Sequence, residues 1–230
     1  MKQNRTLVAG FAFVAFSVLS TLVGWLWTPY DPLEMNPDVS FARPSMSHLL
    51  GTDVFGRDVL SNIMIGARST LVVALVSVLI GVVLGSVVGV ATALAPAKVR
   101  QLSVFGIDIV LALPSVLFAI VLAAVYGAST LTATIAIGIA LSAAIAQITR
   151  RETSQVLRSD YVAAAKVSGS GTGQIIRLHV LPNILPSLLV QASGAVAIAI
   201  LAESTLSYLG LGTTPPTPSK TTATPATKRK

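Results

Sequence analysis

Residues 160–169 read Asp160-Tyr161-Val162-Ala163-Ala164-Ala165-Lys166-Val167-Ser168-Gly169, inside a polar island, residues 150–182, whose far end is His179-Val180-Leu181-Pro182. The island lies between apolar runs long enough to cross a bilayer. It carries Arg150, Arg151, Arg158, Lys166 and Arg177, so it is expected on the cytoplasmic side, where basic loops accumulate. Asp160 is a predicted N-cap, residues 161–167 make about two helical turns, and Gly169 suits a left-handed C-terminal cap. Ala163, Ala164 and Ala165 leave almost no side-chain bulk, so the groove of another protein can approach this backbone closely. Thr172 is predicted to cap a second short helix with Ile175, Leu178 and Leu181 on one face, and Pro182 to redirect the chain into the next span.

Outward from this island the chain is overwhelmingly apolar. Of its 230 residues 53% are hydrophobic and only 11% charged, and its mean hydropathy is +0.79, which places it among integral membrane proteins. A net charge of +7 could suggest nucleic acid, but the bases lie in loops between apolar runs and form no stripe, so topology accounts for them and no nucleic-acid partner is expected. Without cysteine there is no disulfide framework and no thiol-based metal or redox site.

The expected order of spans starts with residues 7–27, uncharged and ending at Trp25 and Trp27, after a short basic N-terminus. That run exceeds the apolar core of a signal peptide and is read as a retained first span with the N-terminus inside. Residues 28–69 are polar and proline-dotted, with five acids against three bases, which suits the outside. Within them Asp53, Arg57 and Asp58 are spaced to satisfy one another. Residues 70–94 form the second span, with Gly81, Gly85 and Gly89 on one face for close packing, preferentially inside this subunit. A third span, residues 104–125, is expected to kink at Pro114 and to hold Asp108 solvated or paired with a loop base near its inner end. The fourth covers residues 131–148, and the fifth runs from about 183 to 201 with Glu203 near its outer end. Nine bases then lie inside and three in the first outer loop, as the positive-inside rule requires.

Ala164, Ala165, Gly169, Leu181 and Pro182 fall in the register of the cytoplasmic "EAA" loop of ABC importer permeases, whose pattern is E-A-A, three residues, G, nine residues, I-x-L-P. Ala163 stands in place of the glutamate and His179 in place of the isoleucine. The missing glutamate removes a capping box with Asp160 and weakens the helix start. Residues 50–61, Leu-Gly-Thr-Asp-Val-Phe-Gly-Arg-Asp-Val-Leu-Ser, followed by Gly66-Ala67-Arg68, resemble the segment preceding the second span in C-type subunits of dipeptide, oligopeptide and nickel permeases. His48 is followed by Leu49 where that family often has proline. Residues 202–219, from Ala202-Glu203 through Leu209-Gly210-Leu211-Gly212 to Pro218-Ser219, resemble the same family, but the tryptophan-glycine that leads its members into a sixth span is replaced by a low-complexity basic tail.

The resemblance implies an all-α polytopic bundle of the type I ABC importer permease kind, with five spans visible and the expected sixth missing. Its parts would be residues 1–28, the cytoplasmic N-terminus and first span; 29–69, an extracytoplasmic segment; 70–219, a permease core with the coupling loop at 150–182; and 220–230, the tail. A chain ending outside after five spans is expected to be impaired in assembly. The implied partners are a second homologous permease subunit, two ATP-binding subunits that hydrolyse ATP, an extracytoplasmic substrate-binding protein and the bilayer of a bacterial inner membrane. Tyr161, Ala163, Ala164, Ala165, Lys166, Gly169, Leu181 and Pro182 are the candidate ATPase-coupling residues. His48 and His179 lie on opposite sides of the membrane and no Gly-rich lysine loop follows Gly173, so no catalytic, metal or cofactor site is expected and the chain itself is not an enzyme. An ion-coupled secondary transporter, with ionisable groups at mid-membrane, and a non-transporting scaffold are the competing classes.

Overall fold

The structure is a computed structural model and describes residues 8, 10, 12, 15, 19, 21–25, 27–31 and 34–212. Most of the first expected span, and the tail from 213 onward, lie outside the described residues. Residues 21–25 are helical, with Gly24 against Met64, where an added Cβ would stand 3.0 Å from the Met64 Cβ. The chain divides into two compact units whose described parts are residues up to 69 and from 70 onward.

In the first unit a short 3-10 turn, Pro37–Val39, and a looped segment lead to Val59. Two glycines are needed here for backbone reasons. Gly51 and Gly56 have φ of +77° and +74°, and a Cβ on Gly56 would lie 1.8 Å from the Asn36 carbonyl oxygen, so neither site accepts a side chain.

The helices from there are α1 (Val59–Leu94), α2 (Ala97–Ala112), α3 (Ser115–Tyr126), α4 (Thr130–Leu157), α5 (Asp160–Val167), α6 (Thr172–Ile175) and α7 (Leu181–Tyr208), with a π-turn, Ile176–Val180, joining α6 to α7. Helix α1 begins at Val59 and not near residue 70. Asp58 just before it accepts the Ser61 backbone N–H at 2.8 Å, which caps the helix, and nothing from 59 to 69 breaks it. Three helical segments, Val59–Leu94, Thr130–Leu157 and Thr172–Tyr208, are long and apolar enough to cross a membrane.

The expected third span is not one kinked helix. Helices α2 and α3 meet at 89°. Pro114 clashes with a helical residue before it, and Leu113 is accordingly extended, at φ −86° and ψ 124°. The broken pair nevertheless carries the chain across the bundle, as the packing of α1 on α4 shows. A Cβ on Gly81 would meet Leu141, one on Gly85 would lie 2.6 Å from the Ser142 carbonyl and 2.8 Å from the Ile145 Cβ, and one on Gly89 would lie 2.6 Å from the Thr149 Cβ. Position rises along both helices together, so α1 and α4 run parallel and the chain must return between them.

Gly138 answers the stripe from the other side, with its would-be Cβ 2.8 Å from Ile80 Cγ2. The glycines therefore serve contact within the subunit. Along the same seam the Ser77 hydroxyl donates to the Thr134 carbonyl at 2.9 Å.

Helix α7 runs opposite to both. Its early residues Ile184 and Leu188 bury against Ile145, its middle residues Ala195, Ala199 and Ala202 against Val73, Ala74, Ile137 and Leu141, and Leu206 against Ala119, Ala133 and Ala136. Alanine is the commonest residue of this core, beside valine, isoleucine and leucine, and with the glycine stripe it brings the helices close, as helix packing in lipid favours. One end of the bundle thus gathers Lys98, Arg100, Arg150, Arg151, Arg158, Lys166 and Arg177.

Candidate coupling segment

The fourth expected span continues past Ile148 to Leu157, so residues 150–157 are helix and the polar island proper starts at Arg158. Ser159 and not Asp160 is the N-cap of α5, and no side chain caps the helix. The Ser159 hydroxyl is turned back to donate to the Val156 carbonyl at 2.6 Å. The first turn of α5 is therefore without a side-chain cap, but not for the expected reason: with Ser159 as N-cap the N3 position is Val162, so a glutamate at 163 would not have closed a capping box.

The other end is closed fully. Gly169 has φ +85°. Its N–H donates to the Lys166 carbonyl and the Ser170 N–H to the Ala165 carbonyl, each at 3.0 Å, a Schellman closure that needs a left-handed residue at Gly169. Thr172 does not cap the next helix. It is the first helical residue of α6, with Gly171 before it.

Val162 is the peg of α5. It is fully buried with Ile145, Ile175, Val180, Ile184 and Leu188, which ties the short helix to α4 and to the start of α7. Ala163, Ala164, Lys166 and Val167 face outward, and Val167 is 91% exposed. The Tyr161 ring packs on the His179 ring at 5.7 Å between centroids, so the residue found where the family pattern has isoleucine is one that touches α5.

The face expected on the second helix is not formed. Ile175 is buried, but Leu178 and Leu181 are 55% and 45% exposed. Pro182 does not redirect the chain. Helix α6, the π-turn and α7 make one run, Thr172–Tyr208, in which the Leu181 N–H bonds the Ile176 carbonyl five residues back. The wider turn accommodates a proline in the first turn of α7, where a missing N–H does little harm. Of the eight candidate residues, the structure places Tyr161, Ala163, Ala164, Ala165, Lys166 and Gly169 on one short helix and its cap, and leaves Leu181 and Pro182 exposed at the start of α7. Sequence reasoning missed Val162 and Val167. An apolar pair five apart in a two-turn helix, one facing in and one out, was the signal available.

The looped segment before α1 is locked by its acids. Asp53 accepts the Phe55 and Arg57 N–H groups at 2.8 and 2.9 Å and pairs with the Arg57 side chain at 2.8 Å. Burial raises its pKa, but these bonds and the nearby guanidinium outweigh it and hold the carboxyl below its ordinary value.

Asp58 does not join that pair. One of its oxygens accepts the Ser61 N–H and hydroxyl, both at 2.8 Å, and the other faces His48 Nδ1 at 3.1 Å. Burial pushes its pKa up, while Ser61 and His48 bring it below the ordinary value. Tyr30 packs on His48 with ring centroids 4.6 Å apart, and Thr52 accepts the Ala42 N–H at 2.8 Å. Each motif residue here makes a turn or closes one.

Asp108, expected solvated or paired with a base, is exposed and accepts from Gln147 Nε2 at 3.4 Å. Glu203, five residues from the end of α7, is 1% exposed and accepts from the Thr70 hydroxyl at 2.7 Å.

These features define an α-helical, multi-pass membrane protein with a short helical segment at its basic end. Residues 81–228 match the family described as the binding-protein-dependent transport system inner membrane component, and the chain belongs to that family. The match runs past Ser219, where the motif-level resemblance ends. The chain is 37% identical over 222 residues to the di/tripeptide transport system permease protein DppC of Pseudomonas aeruginosa, covering 94% of this chain and 73% of that one. It is 36% identical over 224 residues to the dipeptide transport system permease protein DppC of Escherichia coli, and 32% identical over 223 residues to that of Haemophilus influenzae, covering 74% and 76% of those chains. The chain is thus an inner-membrane permease of the ABC importer class, a family that implies ATP-binding and substrate-binding partners.

Proposed function

We propose that this chain is a channel-forming subunit of an importer for dipeptides or short oligopeptides, working beside a second homologous permease subunit, two ATPase subunits that hydrolyse ATP, and an extracytoplasmic binding protein that delivers the cargo. The N-terminus and the basic end of the bundle lie in the cytoplasm, residues 29–69 lie outside, and residues 70–219 form the permease core. The relatives named for peptide transport support the substrate class, and the seven bases gathered at one end of the bundle support the orientation.

The observation that carries the coupling role is the shape of α5: a two-turn helix fixed to the bundle by one buried side chain, Val162, with Ala163 and Ala164 exposed and bare. A groove in an ATPase subunit can seat it backbone-close. Because Val162 packs with Ile175, Val180 and Ile184, a displacement of α5 is passed to α7 as rigid-body motion, the mechanism expected for alternating access. The test is to purify the chain with its partner subunits and measure uptake and peptide-stimulated ATP hydrolysis in proteoliposomes. Ala164→Phe should lose the ATPase subunits on purification while still inserting. Retention of the ATPase with normal uptake in that variant would overturn the coupling role of α5.

A further inference from the structure

Arg150, Arg151 and Arg158 project from the last turns of α4 and meet Arg100 from α2 around one recess, completed by Ser154 and Gln155. Four arginines line this recess and no acid does. The nearby carboxylates are engaged elsewhere: Glu152 accepts from the Ser187 hydroxyl on the α7 side, and Asp108, two turns along α2 from Arg100, accepts from Gln147. The Arg150 Nε is buried without a hydrogen-bond partner, and a buried donor left unpaired is costly. Bases scattered for topology alone would sit in water on separate loops. Here two helices converge them.

We infer that this recess is a binding site for the phosphate group of an anionic phospholipid. Its depth points to lipid as the source. Arg150 is level with Gly89, whose added Cβ would stand 3.0 Å from the Arg150 nitrogen, just short of the α1 end at Leu94 and directly after the uncharged part of α4. From Arg150 to Arg158 is about 12 Å of helix, enough to leave the hydrocarbon core and pass through a headgroup layer of about 5–8 Å. Arginine is suited to the task, since its planar fork matches phosphate oxygens in pairs and it cannot be discharged. A lipid phosphate held there would neutralise the recess and hold the end of α2 against α4, immediately before the segment proposed to meet the ATPase.

The site rests on the proposed orientation only for which leaflet supplies the lipid. The test uses the full chain in nanodiscs of phosphatidylcholine alone or with phosphatidylglycerol, followed by native mass spectrometry and thermal unfolding. Wild type should retain phosphatidylglycerol and gain thermal stability from it. Arg151→Gln with Arg158→Gln, both at exposed positions, should weaken retention about thirtyfold, at roughly fivefold per base, and Arg151→Lys with Arg158→Lys should keep most of it. Full competition by millimolar inorganic phosphate would make the recess a free-anion site and overturn the lipid assignment. Equal retention by wild type and the glutamine pair would overturn the site itself. Loss of the lipid on assembly, with these arginines cross-linking to acids of a partner subunit, would make it a protein interface. External labelling of cysteines at 151 or 158 by an impermeant reagent on intact cells would count against the orientation and leave the lipid result from the discs intact.

Discussion

Replacing Gly169 by valine isolates the coupling segment from the rest of the fold. At φ +85°, with nothing within 4 Å of an added Cβ, the position imposes no clash with neighbours, so the whole cost is backbone. A non-glycine residue there costs about 1–2 kcal/mol and a β-branched one more. That shifts the local equilibrium between the closed and released cap by a factor of roughly 5–30. Release breaks two 3.0 Å bonds, Gly169 N–H to Lys166 and Ser170 N–H to Ala165, and turns α6 away from the Val162 peg. The bundle of α1, α4 and α7 owes nothing to this glycine, so Gly169→Val should insert and unfold like wild type while peptide-stimulated ATP hydrolysis and uptake fall at least tenfold. Gly169→Asn, which tolerates the left-handed region, should keep most of both activities. Full uptake by Gly169→Val in reconstituted vesicles, with expression matched, would refute the claim that the Schellman closure positions α5.

Gly85→Leu should lose folded yield outright, measured by size exclusion in detergent, because even a Cβ lies 2.6 Å from the Ser142 carbonyl; Gly106→Leu, where nothing lies within 4 Å, is the control. Asp58→Asn should loosen the segment before α1 by about 2 kcal/mol, since it exchanges charge-assisted bonds for neutral ones, and faster hydrogen exchange at the Ser61 amide would report it. Because the folded pKa of Asp58 is depressed, its contribution is present above the ordinary carboxylate range and is lost as pH falls below about 4 through the folded value; the Ser61 protection factor, which removes the intrinsic pH dependence of exchange, should fall there in wild type and not in Asp58→Asn. Cysteines at Lys166 and Arg177 should resist an impermeant reagent applied to intact cells while one at Asp38 reacts; labelling at 166 would invert the proposed topology.

Much of the fold was legible because lipid removes alternatives. Once a run is apolar and near bilayer length, backbone hydrogen bonding leaves only a helix, and the four-residue glycine period named the α1 face that meets α4. The break at Pro114 was only half legible. Its position follows from the residue, but whether a proline bends a helix slightly or parts it depends on what packs beside it, and here Leu113 is extended and the two halves meet at 89°. The start of α1 was placed eleven residues late because polarity was read as loop, whereas Asp58, Ser61 and Asn62 are the polar first turn of a capped helix.

In the coupling segment, the glycine was legible and the threonine was not, for the same physical reason. A left-handed closure is demanded by the backbone and only glycine meets it cheaply, so Gly169 could do little else. An N-cap is optional: Ser159, Asp160 and Thr172 all qualify by type, and the structure uses Ser159 at one start and Gly171 at the other without a side-chain bond at either. Helix α5 is nevertheless held at both ends: the Gly169 closure fixes its C-terminus, and Val162, in its first turn, is buried against α4 and the start of α7. With no side-chain cap, its first turn relies on the burial of Val162 and on the Tyr161–His179 ring contact. One of those two restraints is thus supplied by His179, the residue that stands where the family pattern has isoleucine.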